Sequence, residues 1–506
     1  MTGLARAWSV ALHGVDGVPV EIEAAVGGGM PGIHLVGLPD TALQESKDRV
    51  RSAVVQAGRT WPNERIILAL SPATLRKTGS GFDVALACAV LAATGTVPAE
   101  RLDRTVLLGE LALDGRLRAV RGVLPCLLAA RAAGLRRVVV PSDSLSEASL
   151  VDGLDVHGAG ALSDVLAWLA GDGALDRPDA DAAAASAPRP AFPELSDVVG
   201  QEDARRAVEI AAAGGHHLLL VGPPGTGKTM LAQRIVGLLP ELDRAEALQL
   251  AGIRSAAGRL GTQQHPLTTV APFVAPHHSA SEAALLGGGS GVARPGAVSL
   301  AHRGVLFVDE CPHWPPHLLD ALRTPLEEGE VRIARSDGTV RYPARFQLVL
   351  AANPCPCAPA DDRDCGCRPQ VRRRYRERLS GPLMDRVDLR VPMVRVSTWA
   401  SETPPESTAV VRERVLAARA AAAERWAEHG WRCNGDVPGP VLRSRFRLPE
   451  RVVRPLTSRM KRGTLTARGA DRALRVAWTI SDLDGAARPN REAVDGALYF
   501  RLREAQ

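Results

Sequence analysis

Short apolar runs alternate with an amphipathic stretch in the middle of the chain. Residues 217–221, 304–308 and 346–352 are almost wholly apolar, which is typical of strands buried inside a sheet. Residues 230–236 follow the first run closely and have apolar positions on one helical face. Strands and helices arranged in this way predict a central domain of the α/β class.

The two flanking regions have different patterns. The first, up to residue 172, mixes strand and helix signals and therefore predicts an α+β domain. Its predicted strands lie at 65–70, 106–113 and 137–140, and its predicted helices lie at 82–94 and 124–133. The region after residue 395 is helical, with its strongest signals at 408–428 and 465–483. Residues 171–193 are rich in Ala, Asp and Pro without a periodic apolar face, so we expect a flexible linker there.

The composition of the chain further restricts the class of protein to which it can belong. The 506 residues, of which 45% are hydrophobic, are enough for two or three domains with cores of their own. No apolar run approaches the ~20 residues of a membrane helix and no secretion signal opens the chain, so we expect a cytoplasmic protein without membrane partners. The net charge of +6 and the pI of about 9.1 favour a nucleic-acid partner. Eight cysteines in such a chain are expected to be thiols or metal ligands.

The sequence GPPGTGKT directly follows the first apolar run and fits the phosphate-loop pattern GxxxxGK[ST]. Its residues are Gly222, Pro223, Pro224, Gly225, Thr226, Gly227, Lys228 and Thr229. Between a strand and a helix, the glycines let backbone N–H groups surround a phosphate at the positive end of the helix dipole. We expect Lys228 to contact the β- and γ-phosphates of ATP and the Thr229 hydroxyl to bind Mg²⁺.

Two acidic residues end the apolar run at 304–308 and supply the partner that a phosphate loop needs. Asp309 is expected to bind Mg²⁺, and Glu310 is expected to polarise the water that attacks the γ-phosphate. The two motifs together predict a chain that binds ATP with Mg²⁺ and hydrolyses the ATP.

Further motifs resemble those of one family. They are FVAPHHS at 273–279, LGGG at 286–289, RPGAVSLAH at 294–302, LRTPLEEG at 322–329, AANPCPC at 351–357 and LSGPLMDRVDL at 379–389. Together with the phosphate loop, these sequences are similar to those of the YifB/ComM family, which are magnesium-chelatase-like AAA+ ATPases. The resemblance extends over essentially the whole chain. The sequence CPHW at 311–314 departs from the usual pattern of the family, outside the nucleotide-binding motifs.

The resemblance implies roles for polar residues and implies an assembly. Asn353 follows the apolar run 346–352 and resembles sensor 1, an amide that orients water against the γ-phosphate. Arg386 resembles the arginine finger, which such rings supply to the ATP of a neighbouring subunit. Arg468 resembles sensor 2 at the start of a lid helix, and Arg472, one turn later, is the alternative. The family resemblance implies a homo-oligomer, a ring of six subunits.

The first region resembles the Lon-protease-like (S5-like) α+β domain of magnesium-chelatase-related ATPases. The resemblance rests on MPGIHLVGLPD, SPATLRKTGSGFD, LLGELALDGRLRAVRGVLP and AARAAGLRRVVVP. Active proteases of this type have a nucleophilic Ser and a Lys. Here glycine takes the position of the nucleophile, one place from Ser80, and the position of the lysine falls near Leu124. We therefore expect a scaffold for binding or assembly rather than a protease.

Arginines accumulate on segments that suit a phosphate backbone. Residues 331–340 predict a β-hairpin, and related hexameric motors have a pore hairpin at this place. Arg332, Arg335 and Arg341 lie on or beside it and are the predicted DNA contacts, although a solvated charged hairpin would have the same pattern. The basic bias continues at 372–376.

Four cysteines form two C-x-C pairs, Cys355 with Cys357 and Cys365 with Cys367. Four thiolates this close together can surround one Zn²⁺ ion in a structural site, but four reduced cysteines in a loop would give the same spacing. By contrast, two adjacent histidines at 277–278 would point in different directions on a helix or strand. We therefore expect them to serve structure or an interface rather than a metal.

The sequence thus predicts four segments and one main function. The segments are a Lon-protease-like α+β domain at 1–172, a flexible linker at 173–193, an AAA+ phosphate-loop α/β domain at 194–395 and a helical lid domain at 396–506. The resemblance implies an ATP-hydrolysing ring motor that acts on single-stranded or branched DNA, in helicase or branch-migration steps of recombination or natural transformation. The alternative is a magnesium-chelatase-like accessory ATPase that remodels a protein partner. DNA-stimulated ATP hydrolysis would separate the two.

Overall fold

The computed structural model describes the chain in eight stretches. They are residues 3–179, 190–260, 267–289, 293–335, 338–359, 364–379, 381–396 and 405–502. Three parts follow one another: a first domain (3–179), a phosphate-loop domain (190–396) and a set of C-terminal helices (405–502). Residues 180–189 of the predicted linker, and residues 397–404 at the predicted start of the lid domain, lie outside the described residues.

A seven-stranded sheet forms the centre of the first domain, in the order β3-β4-β2-β1-β5-β8-β9. The strands of this domain are β1 Gly3–His13, β2 Asp16–Gly27, β3 Gly32–Val36, β4 Arg65–Ser71, β5 Thr105–Leu107, β6 Glu110–Leu111, β7 Leu117–Arg118, β8 Arg137–Pro141 and β9 Asp155–Ala159. Its helices are α1 Thr41–Gln56, α2 Asp83–Ala93, α3 Val123–Ala132, α4 Leu145–Ala148 and α5 Leu162–Ala170. The sheet is mixed, because β1 and β2 pair antiparallel whereas β5, β8 and β9 pair parallel. The predicted mixture of strands and helices is present.

The predicted strand at 106–113 is two strands in the structure. The first ends at Leu107 and the second begins at Glu110. Gly109 lies between them with φ of +155°, a backbone angle that favours glycine, and its N–H donates to Gly81 O at 3.1 Å. The sequence does not reveal this interruption, because glycine is compatible both with a strand interior and with a break in the strand.

Five parallel strands form the sheet of the phosphate-loop domain, in the order β11-β14-β17-β10-β18. The strands of this domain are β10 Leu218–Val221, β11 Phe273–Val274, β12 Gly287–Gly288, β13 Arg294–Pro295, β14 Val305–Val308, β15 Glu330–Arg335, β16 Gly338–Pro343, β17 Gln347–Ala352 and β18 Leu389–Pro392. Its helices are α6 Glu202–Gly214, α7 Lys228–Leu238, α8 Arg244–Ala256, α9 Glu282–Leu285, α10 Ala297–Leu300, α11 Pro316–Ala321, α12 Arg323–Glu328, α13 Pro369–Glu377 and α14 Gly381–Met384. The three predicted apolar strands are the neighbours β14, β17 and β10, so their carboxyl ends meet at one edge of the sheet.

Five helices form the C-terminal part. They are α15 Thr408–Trp426, α16 Gly439–Arg443, α17 Glu450–Lys461, α18 Ala467–Leu483 and α19 Arg491–Leu502. Ser407 and Thr466 cap α15 and α18, because each side chain accepts a hydrogen bond from a backbone N–H of the first turn. These helices share one hydrophobic core with α6 and α7, in which Trp426 is fully buried. Among the described residues, no helix combines the length and the apolar composition that a membrane span requires.

The first residues of the predicted linker pack on the first domain. Asp176 exchanges two backbone hydrogen bonds with Gly158, at 2.8 and 3.1 Å. Arg177 Nη2 lies 3.5 Å from Asp155 Oδ1. Composition does not reveal this contact, because backbone groups make most of it and every residue has them.

The first domain also packs against the phosphate-loop domain, at α8 and at the hairpin β15–β16. The Gly122 N–H donates to Ser255 O, on α8, at 3.1 Å. Val15, in the turn between β1 and β2, contacts a small buried cluster that includes Val340 and Tyr342 of β16. The first domain therefore supports the hairpin on which the DNA contacts are predicted.

Candidate nucleotide-binding site

The phosphate loop connects β10 to α7 at the carboxyl edge of the sheet. Gly225 and Gly227 have φ of +78° and +87°, angles that favour glycine, and α7 begins directly after them at Lys228. A Cβ atom on Gly222 would lie 2.4 Å from Met393 O, so the packing of the loop against the chain after β18 also requires glycine. The glycines thus let the loop wind into the N-terminus of α7, where the helix dipole favours a phosphate.

Lys228 lies at the centre of the site. Its Nζ donates to Gly222 O at 2.6 Å, to Pro223 O at 2.9 Å and to Asn353 Oδ1 at 3.1 Å. Burial lowers the pKa of the Lys228 ammonium, and the two acidic residues after β14 act in the opposite direction. The residue predicted as sensor 1 is therefore in direct contact with the lysine of the phosphate loop.

Asp309 contacts the phosphate loop through Thr229, whose Oγ1 donates to Asp309 Oδ2 at 2.9 Å. Hydroxyl and carboxylate oxygens are ligands that Mg²⁺ prefers, so this pair fits the predicted ion. Glu310 is exposed and has φ of +47°, in the left-handed region that a non-glycine residue rarely adopts. Its N–H donates to Asp309 Oδ1 at 2.8 Å, and Trp314 Nε1 donates to Asp309 O at 3.0 Å. Backbone strain of this kind concentrates at functional sites.

Arg386, the predicted arginine finger, is buried within its own chain. It donates to Pro382 O and forms an ion pair with Glu327, near the end of α12. The Glu327 side chain is 60% exposed, so the pair lies close to the surface. The role of Arg386 towards a neighbouring ATP stays a prediction, and release from Glu327 is the rearrangement that this role needs. The sequence predicts no role for Glu327 beyond its place in the motif LRTPLEEG, because a single acidic residue on a helix gives no signal of its own.

Arg468 and Arg472, the two residues considered for sensor 2, differ in their surroundings. Arg468 is exposed in the first turn of α18. Arg472 Nη1 donates to Asp388 Oδ1 at 2.8 Å, and Asp388 Oδ2 also accepts from the His217 N–H at 2.9 Å. Arg472 thus links the C-terminal helices to the start of β10, and Arg468 stays the residue predicted as sensor 2.

Gln201 supports the phosphate loop and was not predicted from the sequence. It has φ of +54° just before α6, and its Nε2 donates to Thr226 O at 3.4 Å. The same side chain donates to Val394 O, so it connects the loop to the segment after β18. A lone Gln before a helix has no specific pattern that would have indicated this role.

The cysteines of the two C-x-C pairs come together in one group, which we call the cysteine cluster. All four Sγ atoms lie within 4.8 Å of one another. The Sγ atom of Cys355 is 3.3 Å from that of Cys357 and 3.4 Å from that of Cys365, and the latter two are 3.7 Å apart. Thiolates bound to one ion at about 2.3 Å would be about 3.8 Å apart in a tetrahedron. The cysteine cluster, which also contains Cys367, can therefore bind a metal ion.

The predicted hairpin is present as β15 and β16, which pair antiparallel, and its tip at 336–337 lies outside the described residues. Arg332 forms ion pairs with Glu328 at 3.1 Å and with Glu330 at 2.6 Å. Arg335 donates to a backbone carbonyl of the loop after β12. Arg341 is exposed and has no side-chain partner within the described part of the chain. The DNA contacts of these arginines stay predictions.

The two histidines at 277–278 are exposed, and their rings lie with centroids 4.1 Å apart. The expectation that adjacent side chains point apart is wrong here, because this segment between β11 and α9 is neither helix nor strand. Within the described residues, neither histidine belongs to a group of three or more metal-binding side chains. Their role at an interface stays a prediction.

Ser80, near the nucleophile position of Lon-type proteases, donates to the Glu110 carboxylate. The nearest lysine in the sequence, Lys77, is buried, and its Nζ donates to three backbone carbonyls. With its N–H groups engaged in this way, Lys77 is not placed to take a proton from Ser80. The geometry agrees with a scaffold, while the likeness to Lon proteases stays a prediction.

Sequence models of known families match each part of the chain. The model described as "Magnesium chelatase, subunit ChlI" matches residues 194–400. The model described as "Subunit ChlI of Mg-chelatase" matches residues 22–144, and the one described as "Magnesium chelatase, subunit ChlI C-terminal" matches residues 405–501.

Three relatives are similar to the chain over nearly their whole length. A protein of Mycobacterium tuberculosis H37Rv, named only as uncharacterized, is 58% identical over 501 residues, which cover 98% of each chain. YifB of Escherichia coli K12 is 41% identical over 491 residues, or 96% of this chain and 95% of that one. Competence protein ComM of Haemophilus influenzae is 39% identical over 507 residues, or 98% and 97%. The chain therefore belongs to the YifB/ComM family of magnesium-chelatase-like proteins.

Proposed function

We propose that the chain binds ATP with Mg²⁺ and hydrolyses the ATP. The observation that carries this proposal is the contact of Lys228 with Asn353, beside the contact of Thr229 with Asp309. These two contacts join four predicted site residues from three neighbouring strands at one edge of the sheet. Such convergence is the arrangement that phosphoryl transfer requires, because catalysis of this reaction is mostly positioning and charge stabilisation.

Each residue of the candidate site has a separate role in the proposed hydrolysis. Lys228 would exchange its carbonyl partners for the β- and γ-phosphates. Thr229 and Asp309 would hold Mg²⁺, which would supply positive charge to neutralise the phosphates. Glu310 polarises the attacking water, and the Asn353 amide orients that water towards the γ-phosphate. Glu310 is exposed, so its carboxylate is accessible to a water.

We propose further that ATP hydrolysis drives movement on DNA by a homohexameric ring. The hairpin β15–β16 supports this proposal, because Arg332 and Arg341 are directly opposite each other on its two strands and Arg335 ends the first strand. The relative named Competence protein ComM supports a role in competence. We expect the substrate to be single-stranded or branched DNA in recombination or transformation. We expect the protein to act on this DNA in the cytoplasm.

A second function has support from the family descriptions, all of which name subunit ChlI of magnesium chelatase. In that case the ATPase would remodel a protein partner. DNA would then have no effect on its turnover.

The experiment that separates the two functions is ATP hydrolysis by the full-length protein at low salt. Single-stranded, duplex and branched DNA are added in turn, and Lys228→Ala serves as the control for contaminating ATPases. We expect stimulation, with the largest effect from single-stranded or branched DNA. Turnover that is indifferent to all three would reject the DNA motor in favour of protein remodelling.

We also propose that the metal of the cysteine cluster is Zn²⁺ in a structural site. Thiolate ligands suit this ion, and four of them leave no open position for a substrate. Cys355 lies two residues after Asn353. The ion would therefore hold the segment that carries the sensor amide.

A further inference from the structure

The segment that follows the cysteine cluster is strongly basic. Residues 368–378, which follow Cys367, contain six arginines and one acidic residue. Arg373 uses its charge locally, because its Nε donates to Glu377 at 2.7 Å. Four of the arginines have no side-chain hydrogen bond or ion pair with any residue that the structure describes: they are Arg368, Arg372, Arg374 and Arg376. Arg368, Arg374 and Arg376 are exposed and Arg372 is half-buried. Guanidinium groups without partners at or near the surface are available to an external anion.

Helix α13, which carries most of these arginines, is held against the phosphate-loop domain. Tyr375 is its one buried residue, and its ring meets the ring of His313 edge-on, with centroids 5.7 Å apart. Arg378, just after the helix, donates from Nη1 to Pro312 O at 3.3 Å. Cys367 lies two residues before the helix begins. The helix is therefore fixed between the cysteine cluster and the segment that follows the acidic residues of β14.

An open hollow of about 590 Å³ lies along α13. Its lining residues are Cys367, Pro369, Arg372, Arg373, Arg376 and Glu377. Arg372 and Arg376 are one helical turn apart, so their side chains are neighbours on the helix surface. The planar fork of each guanidinium matches the geometry of a phosphate oxygen pair.

We infer that α13, mounted on the cysteine cluster, is a second contact site for the DNA backbone, separate from the hairpin β15–β16. The inference rests on the proposed action on DNA. A nucleic acid is favoured over an acidic protein, because a phosphate backbone presents charges at regular spacing and can meet several arginines of one helix at once. Contacts to phosphates position the strand and have no base preference.

The position of α13 also connects this contact to ATP hydrolysis. Tyr375 and Arg378 contact residues 312–313, which follow Glu310 within one short helical turn. A strand bound along α13 therefore acts on the segment that positions the water-polarising carboxylate. We expect the loss of this contact to weaken the stimulation of ATP hydrolysis by DNA as well as DNA binding.

The test is the affinity of the full-length protein for labelled single-stranded oligonucleotides over a range of salt concentrations. The double variant Arg372→Gln, Arg376→Gln should bind every sequence more weakly. Its slope of log affinity against log salt should be shallower by about 0.7 for each lost phosphate contact. The control is Arg51→Gln with Arg59→Gln, which removes two exposed arginines from the first domain and should keep the affinity and slope of the parent.

Two further arms keep the result unambiguous. The double variant Arg372→Lys, Arg376→Lys retains the charge and should retain most of the salt slope, provided that thermal unfolding shows all variants equally folded. Unchanged affinity and slope in the Gln variant, with normal binding by the parent, would overturn this inference and leave the DNA motor standing. A parent that binds no DNA at low salt would overturn both. An equal loss of affinity for polyglutamate would indicate general attraction of anions and would also overturn the inference.

Discussion

Lys228 already has three hydrogen-bond partners in the structure, so the proposed binding of ATP requires the nucleotide to compete for its ammonium group. Two of the partners are neutral backbone carbonyls. A phosphate carries negative charge and adds a Coulomb attraction to the ammonium that a neutral carbonyl lacks, so exchange towards the nucleotide is favourable. The third partner is the Asn353 amide, whose Oδ1 accepts from the lysine at the edge of the sheet.

The separate roles of Lys228 and Glu310 lead to two different defects. Lys228→Ala should abolish ATP binding, since no other residue supplies its charge at the loop. Glu310→Gln should bind ATP like the parent and hydrolyse it roughly 10²–10⁴-fold more slowly, because only water activation is lost. Nucleotide binding is followed by fluorescence and turnover by phosphate release, with Glu282→Gln as an exposed control in the same domain. Normal turnover of the Glu310 variant would remove its assigned role.

The cysteine cluster leads to a prediction about metal content. Purified protein should contain close to one Zn²⁺ per chain, measured by elemental analysis, and Cys365→Ser should lose it because three thiolates hold the ion less tightly. Cys88→Ala is the matched control, since this thiol is buried in the first domain away from the cluster. Fully folded and active protein without metal would show that the four thiols act as free cysteines.

A buried polar network joins β10 and the start of β18 to helix α18. His216 Nε2 lies 2.7 Å from Thr479 Oγ1, and Asp388 accepts from both Arg472 and the His217 N–H. Burial alone would raise the pKa of Asp388, but Arg472 and the histidines outweigh it and hold this pKa well below its ordinary value. Desolvation lowers the pKa of each histidine to about 4, against the attraction of Asp388.

The low pKa values of His216 and His217 predict that the free energy of unfolding falls in mild acid. Their folded pKa of about 4 lies below the ordinary value of 6.5, so between these values the unfolded chain binds more protons. The contribution of the two neutral imidazoles to the free energy of unfolding is therefore fully present above about pH 6.5. This contribution is lost as the pH falls towards 4. The loss at pH 5 should be on the order of 2 kcal/mol for each imidazole.

Urea unfolding of the full-length protein at pH 7.5 and pH 5 measures this effect. His216→Gln should make the difference between the two pH values smaller, because one imidazole no longer titrates. His317→Gln, at an exposed position on α11, should leave the difference unchanged. Equal stability of the parent at both pH values would show that the buried imidazoles do not limit stability in acid.

At the scale of the whole molecule, two other parts pack on the phosphate-loop domain. The C-terminal helices share its core, and the first domain contacts both α8 and the hairpin β15–β16. Rearrangement of the hairpin must therefore involve the first domain, through Val15. The role proposed for Arg386 requires a neighbouring subunit, because its proposed target is the ATP of that subunit while its present partner is Glu327.

Action of Arg386 across an interface can be tested by mixing subunits. Arg386→Ala should bind ATP and lose hydrolysis by about 10³-fold or more, since charge on the transition state is no longer stabilised. Mixed with Lys228→Ala, it should regain some turnover at interfaces where an intact Arg386 faces an intact phosphate loop. Each variant alone is the control. Mixed rings, verified by size and composition, that remain inactive would contradict action on the neighbouring ATP.

The helices and strands around the predicted nucleotide-binding residues could be predicted because each depends on neighbours in the sequence. A phosphate loop needs glycines, a lysine and a hydroxyl within eight positions, and Asp309 and Glu310 only have to end an apolar strand. The apolar periodicity and the capping signals likewise predict helices α7, α15 and α18 to within a few residues of their observed bounds.

Contacts between distant residues could not be predicted in this way. Several arginines could form ion pairs with several acidic residues equally well. The amino-acid sequence therefore does not predict the ion pair of Arg386 with Glu327. Nor does it predict that Arg472, rather than Arg468, pairs with Asp388. The interruption of the predicted strand at Gly109 also depends on contacts between distant residues. The same holds for the packing of the first domain on the hairpin. Each depends on which surfaces the folded chain brings together, because burial and charge neutralisation are properties of the packed molecule and not of a sequence pattern.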